Sequence, residues 1–253
     1  MKKILIISLL ALCMGFTANA TNNDPSNVKD CSEGFNRASF KFNQGLDKAI
    51  LRPIALGYRK LPNGLRTITS NFLNNLSNLV TIPNNALQGD FAKAGTNFAR
   101  LGINSILGIL GMFDVASSMG FEKYEKEDYG QTLGVMGAGP GCYLVLPVLG
   151  STTARDTVGI IGGIVGGDPW YNVTVRNDTQ YFKDSDYYIS RGAGGVDFRA
   201  KNLEAIDNLE ENSMDFYASV KSLYLQDRQK KILNSNQTTE TQDDSDWDEV
   251  SSD

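Results

Sequence analysis

Apolar residues recur at helical spacing through most of the chain. From Asp90 onward, Phe91, Ala94, Phe98, Leu101, Ile106 and Leu110 follow roughly helical steps, with Asp90 placed as the N-cap. Upstream, Asp30-Cys31-Ser32-Glu33 opens a helix with capping-box spacing, and Phe35, Phe42, Leu46 and Ile50 give it an apolar face. Pro53 is expected to interrupt that helix, and a short helix from Ile54 to Lys60 ends before Pro62. Leu65 to Val80 reads as an amphipathic helix with Ile68, Phe72, Leu76 and Leu79 on one face, and Pro83 starts a short helix through Leu87. Ser151 is placed to cap a helix from Thr153 to about Val165, and Asp168 to Tyr171 forms a turn. Val196–Leu209, marked by Ile206 and Leu209, and Met214–Ile232, marked by Met214, Tyr217, Val220, Tyr224 and Leu225, read as two further helices. Asn172 to Tyr188 has no assignable period. Strand-like alternation is confined to Cys142–Leu149, and no internal repeat is evident. The expectation is a single, mostly α domain.

Two apolar arms flank a charged, Gly-rich middle. The first arm, Ile103 to Val115, is thirteen residues long and carries Gly108 and Gly111. A spanning helix needs about 20 apolar residues, so this run is too short to cross a bilayer straight. It is long enough to bury itself in a core or to lie in one leaflet. Glycine in a helix interior costs about 1 kcal/mol relative to alanine, so the pair signals a break or a close backbone approach. A break would set Asp114, the first charge after the run, at a polar surface and border a path through the protein. The other reading packs Gly111 against a neighbouring helix. The polar loop Glu122–Asp128, a Gly-rich turn at Gly134–Gly141 and the second arm, Cys142–Leu149, follow. Gly159 to Gly167 is a further Gly-rich apolar stretch, suited to close packing either in lipid or in a soluble core.

The two ends are set apart by composition. Lys2 and Lys3, the apolar Ile4–Phe16 and Ala18-Asn19-Ala20 form a secretory signal over residues 1–20, with the mature chain starting at Thr21. The net charge of −5 is concentrated at the other end, where Lys231 to Asp253 holds seven acidic residues and one lysine. Residues 233–253 are expected to be a disordered acidic tail. The body between, Thr21 to Lys230, carries 21 basic and 22 acidic residues, so no electrostatic footprint for nucleic acid exists. Cys13 leaves with the signal. Cys31 and Cys142 remain in an oxidising compartment, where a disulfide is permitted but sequence does not establish proximity.

The common catalytic chemistries are missing. The chain has 0 histidines, which removes Ser-His-Asp and Cys-His arrangements and His-based zinc sites. It has no G-x-S-x-G elbow, no Walker A loop and no C-x-x-C. No catalytic residue, metal site or cofactor is therefore expected. Glu122, Glu125, Glu127 and Asp128 alternate with Lys123 and Lys126 and read as a solvated loop. Arg37, Arg100 and Arg155 sit at the edges of apolar segments. A guanidinium forks well onto a phosphate, so each is a candidate for a lipid headgroup. The competing roles are intramolecular pairing, as between Arg155 and Asp156, and snorkelling. Trp170, Tyr171, Tyr187 and Tyr188 are candidates for interfacial anchors or for ordinary packing.

Several motifs occur in a fixed order: Glu33-Gly34-Phe35-Asn36-Arg37, Arg52-Pro53-Ile54-Ala55, Gln88-Gly89-Asp90, Asn97-Phe98-Ala99-Arg100, Ile106-Leu107-Gly108, Phe113-Asp114-Val115-Ala116, Gly130-Gln131-Thr132-Leu133-Gly134, Leu146-Pro147 and Arg155-Asp156. This succession resembles the MlaA/VacJ family of outer-membrane phospholipid-retrieval proteins, over roughly residues 30–230. The resemblance implies a ring-like bundle of short amphipathic helices with Gly-rich loops, lodged in the periplasmic leaflet of the outer membrane. It also implies an amphipathic channel that removes phospholipid from the outer leaflet and passes it to a periplasmic lipid carrier, in association with a trimeric porin. The helical domain is then 21–232. Gly108, Gly111, Phe113, Asp114, Arg100 and Arg155 are the residues expected along the lipid path. One departure concerns acylation: Leu12 precedes Cys13 where the family has a small residue, so cleavage at Ala20 without lipidation of Cys13 is expected. The alternative is a soluble periplasmic binding or structural protein without a channel. A lipid hydrolase is weaker still, given the missing histidine and elbow.

Overall fold

The computed structural model describes residues 28–236, apart from 124 and 178–180. The signal, Cys13 and nearly all of the acidic tail lie outside the described residues. The first helix, α1 (Glu33–Leu46), runs through a π-helical turn (Asp47–Leu51) into α2 (Arg52–Arg59) without a break. Pro53 does not interrupt it, contrary to expectation. In the wide turn the Arg52 N–H reaches back to the Asp47 carbonyl, and Pro53 falls at the start of α2, where a missing N–H is tolerated. Helix α3 (Asn63–Leu87) is likewise one helix where two were expected, with Pro83 inside it. There Asn84 donates its side-chain amide to the Val80 carbonyl at 2.7 Å, so the disturbed turn stays hydrogen-bonded.

Helix α4 (Phe91–Ile106) starts as expected, with the Asp90 carboxylate accepting the Lys93 N–H at 2.9 Å. After it come α5 (Val115–Ser118), α6 (Tyr129–Val135) and a hairpin of β1 (Tyr143–Leu146) and β2 (Gly150–Thr153), with Tyr143 opposite Thr153. Helix α7 (Ala154–Gly162) is capped by Thr153; Ser151, the expected cap, lies in β2. A π-helical turn (Gly163–Gly167), α8 (Pro169–Tyr171) and a second such turn (Asn172–Arg176) follow. Helix α9 (Asp184–Lys201) begins well before Val196, in a stretch whose glycines and polar residues hide any apolar period. Helices α10 (Leu203–Asn212) and α11 (Phe216–Asn236) complete the chain, α11 running past Ile232.

The dry core is small: Tyr143, Val145, Tyr217 and Leu225, with Phe40 and Tyr224 packed against it edge to face. It lies where α1, the hairpin and α11 meet. Among the described residues the outer edge of β1 has no partner strand, only a single parallel bridge between Tyr143 and Asp30. Two asparagines seven residues apart on α1 take that place. Asn36 donates to the Tyr143 carbonyl at 3.0 Å and accepts the Val145 N–H at 2.8 Å. Asn43 does the same with Leu146 and Val148, at 2.9 and 2.7 Å. The segment before α1 is tied to the same place: the Tyr143 N–H donates to the Lys29 carbonyl, and Cys31 is disulfide-bonded to Cys142 with Cα atoms 5.6 Å apart. Closing a loop of 111 residues this way stabilises the fold by about 4–5 kcal/mol in the chain-entropy account.

Replacing Asn36 with leucine fills the site but leaves a buried N–H and carbonyl of β1 unpaired. The expected loss is about 2–4 kcal/mol, or a melting temperature lower by roughly 5–15 °C. Thermal melts of Asn36→Leu against Asn36→Asp, which keeps the acceptor, check this.

Candidate functional site

Helices α3 and α4 are built inside out. α3 turns Ser70, Asn75, Asn78, Thr81, Asn84 and Asn85 inward, and α4 turns Ala94, Asn97, Arg100 and Asn104 inward. Their large apolar residues face outward: Phe91, Phe98 and Ile106 are 72%, 69% and 80% exposed. A helix on a water-soluble core has the opposite orientation. The inward amides bond across the interface. Asn97 donates to Asn85 at 2.9 Å, Asn75 to Ser105 at 3.0 Å, and Thr132 of α6 to Asn84 at 2.6 Å. Gln88 extends the row, donating to Thr132 at 3.1 Å and to the Glu127 carboxylate at 3.0 Å.

The apolar arm after α4 turns back sharply. The helix ends at Ile106, the Gly111 N–H returns to the Asn104 carbonyl at 2.8 Å, and the Phe113 N–H reaches Gly108 at 2.9 Å. Ile109 and Leu110 carry positive φ angles of 52° and 57°, a conformation that bulky and branched side chains resist. Gly111 has φ of 90°, and a Cβ there would lie 2.4 Å from the Cβ of Asn75. A Cβ on Gly108 would lie 2.2 Å from the Phe113 carbonyl oxygen. Both readings of the glycines therefore hold: the chain breaks here, and Gly111 is pressed against α3. The turn presents Leu107, Ile109, Leu110, Met112 and the half-exposed Phe113 as an apolar tip.

Beneath the tip, both terminal nitrogens of Arg100 are engaged, while its buried Nε has no partner. Its Nη2 donates to both oxygens of Asp114 at 2.9 Å, and its Nη1 to the Glu122 carbonyl at 2.7 Å and to Ser117 at 3.1 Å. Asn104 adds a bond to Asp114 at 3.0 Å and accepts the Ala116 N–H. Desolvation pushes the Asp114 carboxyl up, but hydrogen bonds from Ser117 and Asn104 outweigh it and hold the pKa below the usual value. Gly108, Gly111, Phe113, Asp114 and Arg100 are thus brought together around one turn.

Arg155 belongs to a different network. It donates to Asp156 at 3.1 Å and to the Ala138 carbonyl at 3.3 Å. Arg228 of α11 joins two carboxylates, meeting Asp128 at 2.6 and 2.9 Å and Asp156 at 2.8 Å. Tyr224 donates to the other Asp156 oxygen at 2.5 Å. Arg37 pairs with Glu33 and Asp215 and stacks on Tyr217. All three candidate arginines are therefore held by intramolecular partners. The acidic loop also departs from expectation. Glu122 and Glu125 are exposed, but Glu127 is buried and Asp128 caps α6. Burial pushes the Glu127 carboxyl up, partly offset by the bond from Gln88. Burial also pushes Asp128 up, but the Arg228 hydrogen bonds prevail and hold it far below the carboxylate range. Tyr171 meets Tyr187 of α9 edge to face and Tyr187 meets Tyr188, which is left exposed, while Trp170 packs in the same way on Phe182.

The inward asparagine row was missed by a reading that followed apolar residues. Its signal is plain: Asn75, Asn78, Thr81 and Asn84 recur every three residues, opposite Phe72, Leu76 and Leu79. Among the described residues no cluster of Cys, Asp and Glu could hold a metal ion, and no helix is long and apolar enough to cross a membrane.

Fold and site together define a class: a helical, single-domain protein of short amphipathic helices, polar inward and apolar outward. Comparison with known proteins gives the particular family. A model of the MlaA lipoprotein family matches residues 28–231, and the chain belongs to that family. An uncharacterized protein of Rickettsia bellii is 34% identical over 247 residues, spanning 91% of this chain and 93% of its own. The intermembrane phospholipid transport system lipoprotein MlaA of Escherichia coli K12 is 33% identical, over 87% of this chain and 86% of its own. A solved structure, described as the structural basis for maintenance of bacterial outer membrane lipid asymmetry, superposes with a TM-score of 0.67 at 33% identity. It covers 81% of this chain and 99% of its own.

The Asp128–Arg228 pair makes stability depend on pH. The folded carboxyl is held below its unfolded value near 3.9, so its contribution is complete above that value and disappears as the pH falls through the acid range. Asp128→Asn should lower stability at pH 7 by roughly 1–2 kcal/mol, less than for a fully buried pair because solvent screens this carboxylate. The gap in melting temperature from the unmodified protein should be widest at neutral pH, begin to narrow below about pH 4 and go on narrowing as the pH falls further. Melts across that range test it.

Proposed function

We propose that this chain is the outer-membrane component of an intermembrane phospholipid transport system. It removes phospholipid from the outer leaflet through an amphipathic path and passes it to a periplasmic carrier, so maintaining lipid asymmetry. The observation that carries this reading is the inverted partition of α3 and α4. Amphipathic helices not apolar enough all round to span can lie in one leaflet with their apolar faces in lipid, each buried Leu, Ile or Phe contributing about 1.5–3 kcal/mol. The chain then sits in the periplasmic leaflet, and its inward amides and ion pairs offer a polar route for headgroups where lipid outside offers none. The named relatives support the transport role. A carrier in the periplasm and a trimeric porin as docking partner complete the proposal.

In this reading Gly108, Gly111, Phe113 and Asp114 border the path, with the apolar tip holding the turn in lipid. Arg100 and Arg155 act indirectly, by fixing the turn and the base of α7, since their guanidinium groups are already paired with Asp114 and Asp156. Nothing in such a transfer requires a bond to be made or broken, which fits a chain without histidine.

A strain lacking the gene should accumulate phospholipid in its outer leaflet, and the wild-type chain should restore asymmetry. Normal asymmetry in the null strain would overturn the proposal. Release of the protein from membranes by mild salt would instead favour a soluble periplasmic role. Leu110→Asn is a sharper probe. Asparagine accepts the positive φ at this exposed position, so the fold should be kept or slightly stabilised. Lipid retrieval should nevertheless fall, because the tip loses about 1.5–3 kcal/mol of apolar contact with lipid. Gly111→Ala should fail differently, by loss of folded protein, because its Cβ collides with Asn75.

A further inference from the structure

A cleft of about 490 Å³ opens between the segment that leads into α1 and the side of α11. Asp30, Glu33 and Arg37 line one wall, and Tyr217, Lys221 and Leu225 the other. It shares no residue with the asparagine row of α3 and α4. A chain of contacts crosses it. Glu33 accepts the Arg37 Nε–H at 2.7 Å, the Arg37 guanidinium lies 4.4 Å from the centre of the Tyr217 ring, and the Tyr217 hydroxyl donates to Asp30. At the end of the chain the Lys221 ammonium stands 3.8 Å from Asp30 and 5.4 Å from the centre of the Tyr143 ring.

Lys221 is the unsatisfied member. Both oxygens of Asp30 are taken, one by Asn36 at 2.6 Å and the other by Tyr217. At 3.8 Å the ammonium is beyond hydrogen-bond reach of that carboxylate, and among the described residues no other acceptor takes its protons. Its side chain is only 23% exposed, so a largely desolvated cation with three donors borders an open cleft. Glu33 is the converse at the far end. One of its oxygens accepts from Arg37, the other is free, and its side chain reaches solvent. With two carboxylates and two cations, the lining is neutral overall and separates its free positive and negative poles.

Val28 and Leu225 also line a narrower, mostly apolar crevice, which continues along α11 past Pro140 to Ile232 and Leu233. Arg155 and Arg228 border it, but both are paired with carboxylates. From Lys221 to Leu233 the helix runs about 18 Å, the scale of one extended acyl chain.

We infer that cleft and crevice together bind one amphiphile with a phosphoethanolamine head. The phosphate takes the Lys221 ammonium and the neighbouring Ser222 hydroxyl, the primary ammonium takes the free Glu33 oxygen, and one acyl chain follows the crevice. A primary ammonium donates N–H bonds to a carboxylate, whereas choline has none to give, and a glycerol head brings no positive charge to Glu33. The choice of a phospholipid rests on the transport reading above, and the site lies outside the path bordered by Gly108 and Gly111.

The test uses the purified mature chain in neutral maltoside micelles. The probe is myristoyl lysophosphatidylethanolamine with a diazirine at the end of its chain, and mass spectrometry reads where it attaches. Labelling should fall on residues 225–233 and Val28. Unlabelled lysophosphatidylethanolamine should compete roughly tenfold better than the choline or glycerol lysolipid. Lys221→Gln should cut this labelling roughly tenfold, and Glu33→Gln should erase the preference for ethanolamine. Ala218→Trp, at an exposed position in the cleft wall, should block labelling while leaving every charge in place, so it decides the matter if Lys221→Gln loses stability. Labelling spread over the outer faces of α3 and α4, or undiminished in Ala218→Trp, would overturn the site. Equal competition by the three heads would overturn the ethanolamine assignment. Competition by chain-free glycerophosphoethanolamine as strong as by the lysolipid would overturn the lipid assignment in favour of a soluble head. The two proposals fail separately. Absence of labelling on α11 in a chain that restores lipid asymmetry removes this site alone, and normal asymmetry in the null strain removes the transport role while specific labelling keeps the site.

Discussion

Polar groups turned inward need partners, and that requirement shapes the molecule. An unpaired buried donor or acceptor costs about 1–3 kcal/mol, so a helix that hides asparagines is stable only against a surface that answers most of their polar atoms; the side-chain oxygens of Asn75 and Asn78 are among the few left unanswered. α3 and α4 answer each other through Asn85–Asn97 and Asn75–Ser105, and α6 joins through Thr132 and Asn84. The apolar residues are thereby pushed outward. In the proposed leaflet placement, lipid is the medium that stabilises them there, and it also strengthens the inward bonds by excluding competing water. The same pairing rule explains why Asn36 and Asn43 can replace a whole strand at the edge of β1.

The ion pairs extend this logic where helices meet at larger angles. Arg228 draws the loop before α6 and the start of α7 onto α11 through Asp128 and Asp156. Arg199 of α9, almost fully buried, joins Asp47 at the π-helical turn to Asp207 of α10. Between α6 and α7 no side chain intervenes: a Cβ on Gly159 would lie 2.4 Å from the Gly130 nitrogen. Close backbone contact there leaves the arginine networks to set the angle. A protein with so small a dry core depends on such directional bonds, and on the Cys31–Cys142 bridge, for a unique shape.

Helical class and single-domain organisation were legible because apolar residues keep the helical period over long stretches, as in Phe91–Ile106. The bend at Gly108–Gly111 was legible for the reason glycines usually signal: the site demands a positive φ and contact closer than any Cβ permits. The continuity of α1 into α2 was not. A proline argues for a break, and only the π-helical turn, which leaves no local signature, cancels the argument. α9 escaped notice because Gly192, Gly194 and Gly195 weaken its propensity and its partners are tertiary. Roles of charged residues were the least legible. Arg100 and Arg155 sit at apolar boundaries as lipid-contacting arginines do, and only the three-dimensional placement of Asp114 and Asp156 shows them engaged within the protein.

A guanidinium clamped by a carboxylate and backbone carbonyls, as Arg100 is, holds geometry well but binds a passing phosphate poorly, since the ligand must first displace a bidentate partner. Arg155 is held in the same manner by Asp156 and the Ala138 carbonyl, and Arg199 by Asp47, Asp207 and the Leu203 carbonyl. Arginines at the boundaries of apolar segments therefore act here on the shape of the interior: each ties the start or end of one helix to a carboxylate brought in by another part of the chain, so that the directional bonds fix what so small a dry core leaves open.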